Sequence, residues 1–282
     1  MMLTIGSVCS GIGGLELGLE AAGLGPTKWQ IEIDPYARAV LAKHWPDAVR
    51  HEDLRDAAAR PTKLADVNII CGGTPCQDLS LAGRGAGLSG ARSGLWFAML
   101  ALVTAKRPAF VVWENVPGSI RRGLDVVVSG LCELGYQVVG TRLSAEDLGA
   151  SHRRERVFIV GHLPDAVREF VREQRGGQRG ADGQGPALPG LDGLDGLERP
   201  LADAEREGQL QSQGSVGEVG RRPRDGRRPT RAWPAEPNVG RVAHGVPHRT
   251  QRDRALGNAC TPPQAEVVGW LIRDIADGRV TT

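Results

Sequence analysis

Apolar residues along the chain fall into short blocks of two kinds, unbroken runs of strand length and longer stretches with helical spacing. Leu3 to Val8 is a run of the first kind. Ser10-Gly11-Ile12-Gly13-Gly14 interrupts it, and Leu15 to Ala22 then repeats its apolar residues with a helical period. Trp29 to Ile33 predicts a second strand, and Pro35 to His44 a helix with proline at its first turn. Further strands are predicted at Val67 to Cys71, Phe110 to Trp113, Gln137 to Leu143 and Arg156 to Gly161, with a helix at Leu124 to Leu134. A last helix, Ala265 to Asp277, carries Val267, Val268, Leu271, Ile272 and Ile275 on one broad face. Strands that alternate with helices predict an α/β fold built on a doubly wound, mostly parallel sheet.

The pattern lapses in one long region. Gly176 to Gly196 is rich in Gly, Asp, Gln and Pro and cannot bury enough apolar surface to fold alone, so it reads as a linker or mobile loop. Arg221 to Arg231 follows as a basic run, either a solvated tail or a phosphate-contacting surface. The expected division is a main domain over 1–163, a short and partly disordered region over 164–254 (disordered at about 176–198), and a return to the main domain over 255–282. A chain of 282 residues suffices for one large domain with a smaller lobe. Its net charge of +2 supplies no global field, so any nucleic-acid surface must come from local clustering.

Five scattered cysteines without paired spacing argue against a disulfide framework and a metal site. The amino terminus lacks secretory-signal features and no apolar run reaches membrane length, so a cytoplasmic protein is expected.

Candidate chemistry sits at the ends of the predicted strands. Gly72-Gly73-Thr74-Pro75-Cys76-Gln77 carries a cysteine out of a buried strand into the glycine-rich stretch Gly83 to Gly94. Cys76 is a candidate nucleophile, although a lone Pro-Cys pair reads equally well as a small buried hydrophobe. Trp113-Glu114-Asn115-Val116 places a carboxylate at the end of a neighbouring strand, on the edge where open α/β sheets bind ligands. A nucleophile and a proton donor would then converge.

The Ser10 to Gly14 turn allows close backbone approach and opens a helix whose N–H groups face outward. Glu32, just after the second strand, stands where a ribose diol needs an acceptor. Asp53 offers a further acceptor, suited to an adenine amino group, or is an ordinary turn residue. In Ser151 to Arg156, strand alternation would send Arg154 and Arg156 to one face and Arg153 and Glu155 to the other. Two cations so placed suit a substrate oxygen and would lower the pKa of a nearby thiol.

In this order, Ser7 to Gly14, Glu32-Ile33-Asp34, Gly73 to Gln77, Glu114-Asn115-Val116, His152 to Arg156 and Gly257-Asn258-Ala259 resemble the ordered motifs of the DNA (cytosine-5)-methyltransferase family. The resemblance covers about residues 3–163 and 254–277. It implies a Rossmann-like, S-adenosylmethionine-dependent methyltransferase fold with an inserted target-recognition region. It further implies attack of Cys76 on C6 of a flipped-out cytosine, with Glu114 at N3 and the amino group, and release of S-adenosylhomocysteine without any metal. Arg156 would meet the base carbonyl, and Arg154 would support Glu114 or the base. By the same resemblance, Ser10, Gly11, Ile12, Gly13, Gly14, Glu32, Ile33, Asp34, Asp53, Leu54, Gly73, Pro75, Leu95, Asn258 and Ala259 would form the cofactor site. Gln77, Ser80, Arg84, Arg92, Arg222, Arg224, Arg227, Arg228 and Arg241 would contact double-stranded DNA. The implied protein is a monomer of prokaryotic or phage type, working beside a cognate restriction endonuclease or alone.

The chain departs from the family pattern in four places. Cys9 stands where an aromatic residue is usual, and His152 where glutamine is usual. The motif that orders the recognition domain is missing, and the recognition region is short. Rival readings are a transfer-RNA cytosine-5 methyltransferase, a degenerate DNA-binding paralogue and a dehydrogenase. The paralogue predicts loss of Cys76, Glu114 or the glycine turn, and the dehydrogenase predicts a G-x-G-x-x-G spacing that Gly11-x-Gly13-Gly14 does not follow.

Overall fold

The computed structural model describes residues 3–75, 94–121, 123–164, 166–167, 217–218 and 249–280. The chain alternates β1 (Ile5–Val8), α1 (Gly14–Ala21), β2 (Thr27–Ile31), α2 (Pro35–His44), β3 (Val49–His51), α3 (Leu54–Ala59), β4 (Ile69–Gly72), α4 (Gly94–Lys106), β5 (Phe110–Asn115) and α5 (Leu124–Glu133). It continues with β6 (Gln137–Leu143), β7 (Arg156–His162), the two-residue β8 (Gly217–Glu218), α6 (Arg249–Asn258) and α7 (Pro262–Ala276).

The eight strands form one sheet in the order β3-β2-β1-β4-β5-β7-β6-β8. β1, β2, β3, β4 and β5 run parallel, whereas β7 is antiparallel to both β5 and β6. The reversed strand matches the connection: residues 144–155 between β6 and β7 hold only a 3-10 turn at Glu146–Leu148 and no helix to make a crossover.

Alternation along the central strands divides the core in two. Ile69, Cys71, Phe110 and Val112 face α1 and α7, where Leu19, Val268 and Ile272 complete the packing. Ile70, Val111 and Trp113 face the opposite way, onto Trp96, Met99, Val127 and Leu131 of α4 and α5. Burial on both faces explains why β4 and β5 read as continuous apolar runs. Each fully buried Leu, Ile or Phe here contributes about 1.5–3 kcal/mol.

The final helix begins at Pro262 rather than Ala265, because Thr261 and Gln264 form a capping box over its first turn. Among the described residues no helix is long and apolar enough to cross a membrane.

Candidate active site

The parallel strands bring their carboxyl ends to one edge, and the chain order reverses between β1 and β4. A cleft of about 710 Å³ opens at that edge. It falls within the usual range for small-molecule sites.

At one end the cleft is lined with acceptors. Glu32 follows β2, and its carboxylate accepts from the Gly11 N–H at 2.7 Å and the Asp34 N–H at 2.8 Å. The glycine turn after β1 is thus tied to the loop after β2, and each Glu32 oxygen retains a lone pair for a ligand hydroxyl. Asp34 caps α2, accepting from Tyr36 N at 2.8 Å, and Asp53 caps α3, accepting from Arg55 N at 2.7 Å. All three carboxylates border the cleft. The turn itself requires glycine at position 13: φ is +87°, and a Cβ there would stand 2.3 Å from the Trp45 ring.

At the other end lies Glu114, the fifth residue of β5, only 8 % exposed. Gly73 lies so close that a side chain on it would approach the Glu114 carboxylate to 2.7 Å, which accounts for a glycine at this step. Thr74 fastens the chain leaving β4: Trp113 Nε1 donates to its hydroxyl at 2.9 Å and Asn115 Nδ2 to its carbonyl at 2.8 Å. Pro75, the residue before Cys76, also borders the cleft. The Nε of Arg156 stands 2.9 Å from Oε1 of Glu114 as an ion pair, without alignment for a hydrogen bond. Burial raises the Glu114 pKa, the Arg156 and Arg154 charges oppose that rise, and the balance is a value of about 7.

Of the proposed cofactor contacts, Ser10, Gly11, Gly14, Glu32, Ile33, Asp34, Asp53, Leu54, Gly73, Pro75, Leu95, Asn258 and Ala259 all border this one cleft, together with Glu114 and Arg156. Ile12 and Gly13 do not; Gly13 is turned against Trp45. Arg154 is also absent from the lining. It precedes β7 at φ +36°, so strand alternation does not govern it, and its guanidinium reaches carbonyl groups of residues 256–259. Arg153 instead pairs with Glu155 at 3.1 Å. Cys76, Gln77, Ser80, Arg84, Arg92, Arg222, Arg224, Arg227, Arg228 and Arg241 lie outside the described residues.

Sequence reasoning missed Tyr36, Arg55 and Arg254 on the lining. For Arg254 a signal existed, since it lies four residues before Asn258 on α6 and so on the same helix face.

The chain is 34 % identical over 186 residues to the Type II methyltransferase M2.BsuMI of Bacillus subtilis (strain 168), covering 63 % of this chain and 46 % of that one. It is 38 % identical over 157 residues to the Type II methyltransferase M.HgiBI of Herpetosiphon aurantiacus, covering 54 % of this chain and 35 % of the relative. The chain thus spans between about a third and a half of the length of these relatives. Among solved structures, the S. pombe Dnmt2 methyltransferase superposes with a TM-score of 0.51 at 21 % identity, over 60 % of this chain and 55 % of that one, a likeness of fold. The fold is the Rossmann-like one of S-adenosylmethionine-dependent methyltransferases. The family model of the C-5 cytosine-specific DNA methylase matches residues 3–179, more than half of the chain, and the chain belongs to that family.

Proposed function

We propose that the chain is a DNA (cytosine-5)-methyltransferase that transfers a methyl group from S-adenosylmethionine to C5 of a cytosine turned out of the duplex. The observation that carries this reading is Glu114: a buried carboxyl, half protonated near neutral pH, beside Arg156 and beside the Gly73-Thr74-Pro75 segment that leads into Cys76. A carboxyl poised near 7 can present a proton to N3 of a cytosine at neutral pH. Protonation there lets Cys76 add to C6 without building an anion on the ring, and C5 gains the electron density that a methyl acceptor needs. Arg156 keeps one cation on the Glu114 carboxylate and fits a base carbonyl. Loss of the C5 proton and expulsion of the Cys76 thiolate would then restore the aromatic ring.

The acceptors at the far end suit the cofactor: Glu32 a ribose diol, Asp34 and Asp53 the purine end, and the amino terminus of α1 at Gly14 its amino-acid end. When bound, S-adenosylmethionine supplies an electrophilic methyl group on a sulfonium. Double-stranded DNA is the proposed substrate, and the Type II relatives favour a modification role beside a restriction endonuclease.

The test is to incubate the purified chain with methyl-labelled S-adenosylmethionine and either mixed-sequence duplex DNA or transfer RNA, and to identify the labelled base by mass spectrometry. 5-Methylcytosine in DNA, together with a denaturation-resistant adduct on 5-fluorocytosine DNA that Cys76→Ala lacks, is the expected result. Label confined to RNA would change the substrate, and DNA label undiminished in Cys76→Ala would remove the nucleophile.

A further inference from the structure

The segment that brings the chain back from the region before α6 is held by unusual means. From Thr250 to Asn258 α6 is exposed nearly throughout, with Leu256 60 % exposed and only Ala255 half-buried among these residues. Apolar packing therefore does little to fix it against the sheet. Yet its last turn and the residues after it, Gly257, Asn258 and Ala259, form one wall of the cleft.

What grips that turn is chiefly Arg154, to which the Arg156 Nη2 adds a longer hydrogen bond to the Gly257 carbonyl at 3.4 Å. The Nε of Arg154 donates to the Ala259 carbonyl at 3.1 Å and its Nη2 to the Gly257 carbonyl at 3.0 Å, with the Leu256 carbonyl also in contact with Nη2. These carbonyls are at a helix carboxyl end, which lacks intrahelical partners and carries partial negative charge, so a guanidinium is well matched to them. The backbone of Arg154 is held just as firmly. Gln264, fully buried at the start of α7, donates Nε2 to the Arg154 carbonyl and to the Leu143 carbonyl, each at 2.8 Å. Its Oε1 accepts from the Thr261 hydroxyl at 2.7 Å. Arg154 sits at φ +36°, a conformation non-glycine residues adopt only when the surroundings fix them.

We infer that Arg154 is a positioning residue: by clasping the carboxyl end of α6 it holds Asn258 and Ala259 as a wall of the cofactor cavity. The inference rests on reading the cleft as the cofactor site. The rigid guanidinium reaches these carbonyls from two separate nitrogens, Nε and Nη2, whereas a lysine ammonium is a single nitrogen on a flexible stem, so lysine would keep the charge near Glu114 but lose the two-nitrogen clasp.

The experiment titrates S-adenosylhomocysteine calorimetrically into the wild-type chain, Arg154→Lys and Arg154→Ala, and measures methyl transfer to duplex DNA against cofactor concentration and pH. Wild type should bind. Arg154→Lys should bind about ten-fold or more weakly, as loss of hydrogen bonds from a charged donor requires. Its cofactor KM should rise in step, with kcat and the pH midpoint set by Glu114 little changed. Added ethylguanidinium should restore binding to Arg154→Ala, a rescue that general destabilisation would not give. No binding by wild type would defeat the cofactor reading itself. Binding by wild type with equal affinity in Arg154→Lys would overturn the clasp, as would unchanged cofactor affinity with a collapsed kcat, which would put Arg154 on the base.

Discussion

Glu114 gathers most of the site's chemistry into one side chain, and opposing forces set its behaviour. Burial drives its carboxyl toward the neutral form, Arg156 and then Arg154 pull it back, and the result is a pKa of about 7 instead of 4.5. If the protonated carboxyl serves the base, the rate must fall as pH rises through about 7, where the proton is lost. Glu114→Gln keeps the shape but has no proton of that acidity to give. Turnover should fall about 10²- to 10⁴-fold, the limb near pH 7 should disappear from the pH profile, and S-adenosylhomocysteine affinity should hold. A stopped-assay profile over pH 5.5 to 9 measures this, and a retained limb in the variant would assign the titration to another group. The motif around Glu114 was readable in the chain, because a carboxylate ending an apolar run has few other uses. The direction taken by Arg154 was not, since its side chain answers to carbonyls more than a hundred residues further along.

Among the elements, legibility followed the strength of local pattern. β6 and α2 have the bounds that periodicity predicts, Gln137–Leu143 and Pro35–His44. β2 runs Thr27–Ile31, two residues earlier than predicted, because Glu32 and Asp34 leave the sheet to tie the loop and cap α2. β3 and α3 escaped notice for lack of length, and α4 for lack of contrast: its Leu95 to Leu102 stretch is apolar all round and shows no period. The antiparallel β7 had a visible cue, the helix-free stretch after β6, that alternation alone does not use. The caps of these elements are also cleft residues, so structure and binding can be separated by substitution. Asp34→Ala should lower stability by about 1 kcal/mol by removing the α2 cap, whereas Asp34→Asn should stay within a few tenths. Urea unfolding of both variants decides this; equal stability of the two would mean that the cap contributes nothing.

Across the molecule, the halves of the fold meet around one buried acid. Glu16 on α1 is fully buried; Gln30 of β2 donates to its Oε1 at 3.4 Å, Ser7 of β1 and Ser10 of the glycine turn lie close enough to hold its pKa down, and Oε2 has no hydrogen-bond partner. The thiols of Cys71 on β4 and Cys260 before α7 lie in its field, and burial pushes both well up. Burial likewise raises Glu16 from 4.5 to about 7, and the hydrogen bonds offset only part of the rise. A carboxyl with a raised folded pKa makes the native state the better proton binder. Stability is therefore full below pH 4.5, declines as pH rises toward 7, and is constant above. The decline is on the order of 3 kcal/mol for a shift of this size. His51 and His162, both lowered by burial, act with the opposite sign, removing stability as pH falls below about 6.5. A difference between two proteins that share those histidines cancels them. Relative to wild type, Glu16→Gln should thus gain stability steadily from pH 4.5 to about 7 and no further, because an amide has no proton to lose. Denaturant unfolding of the pair at half-unit pH steps gives that curve directly. A difference independent of pH would mean that Glu16 is already ionised in the fold, and that the floor beneath the glycine turn holds a charge rather than a neutral acid.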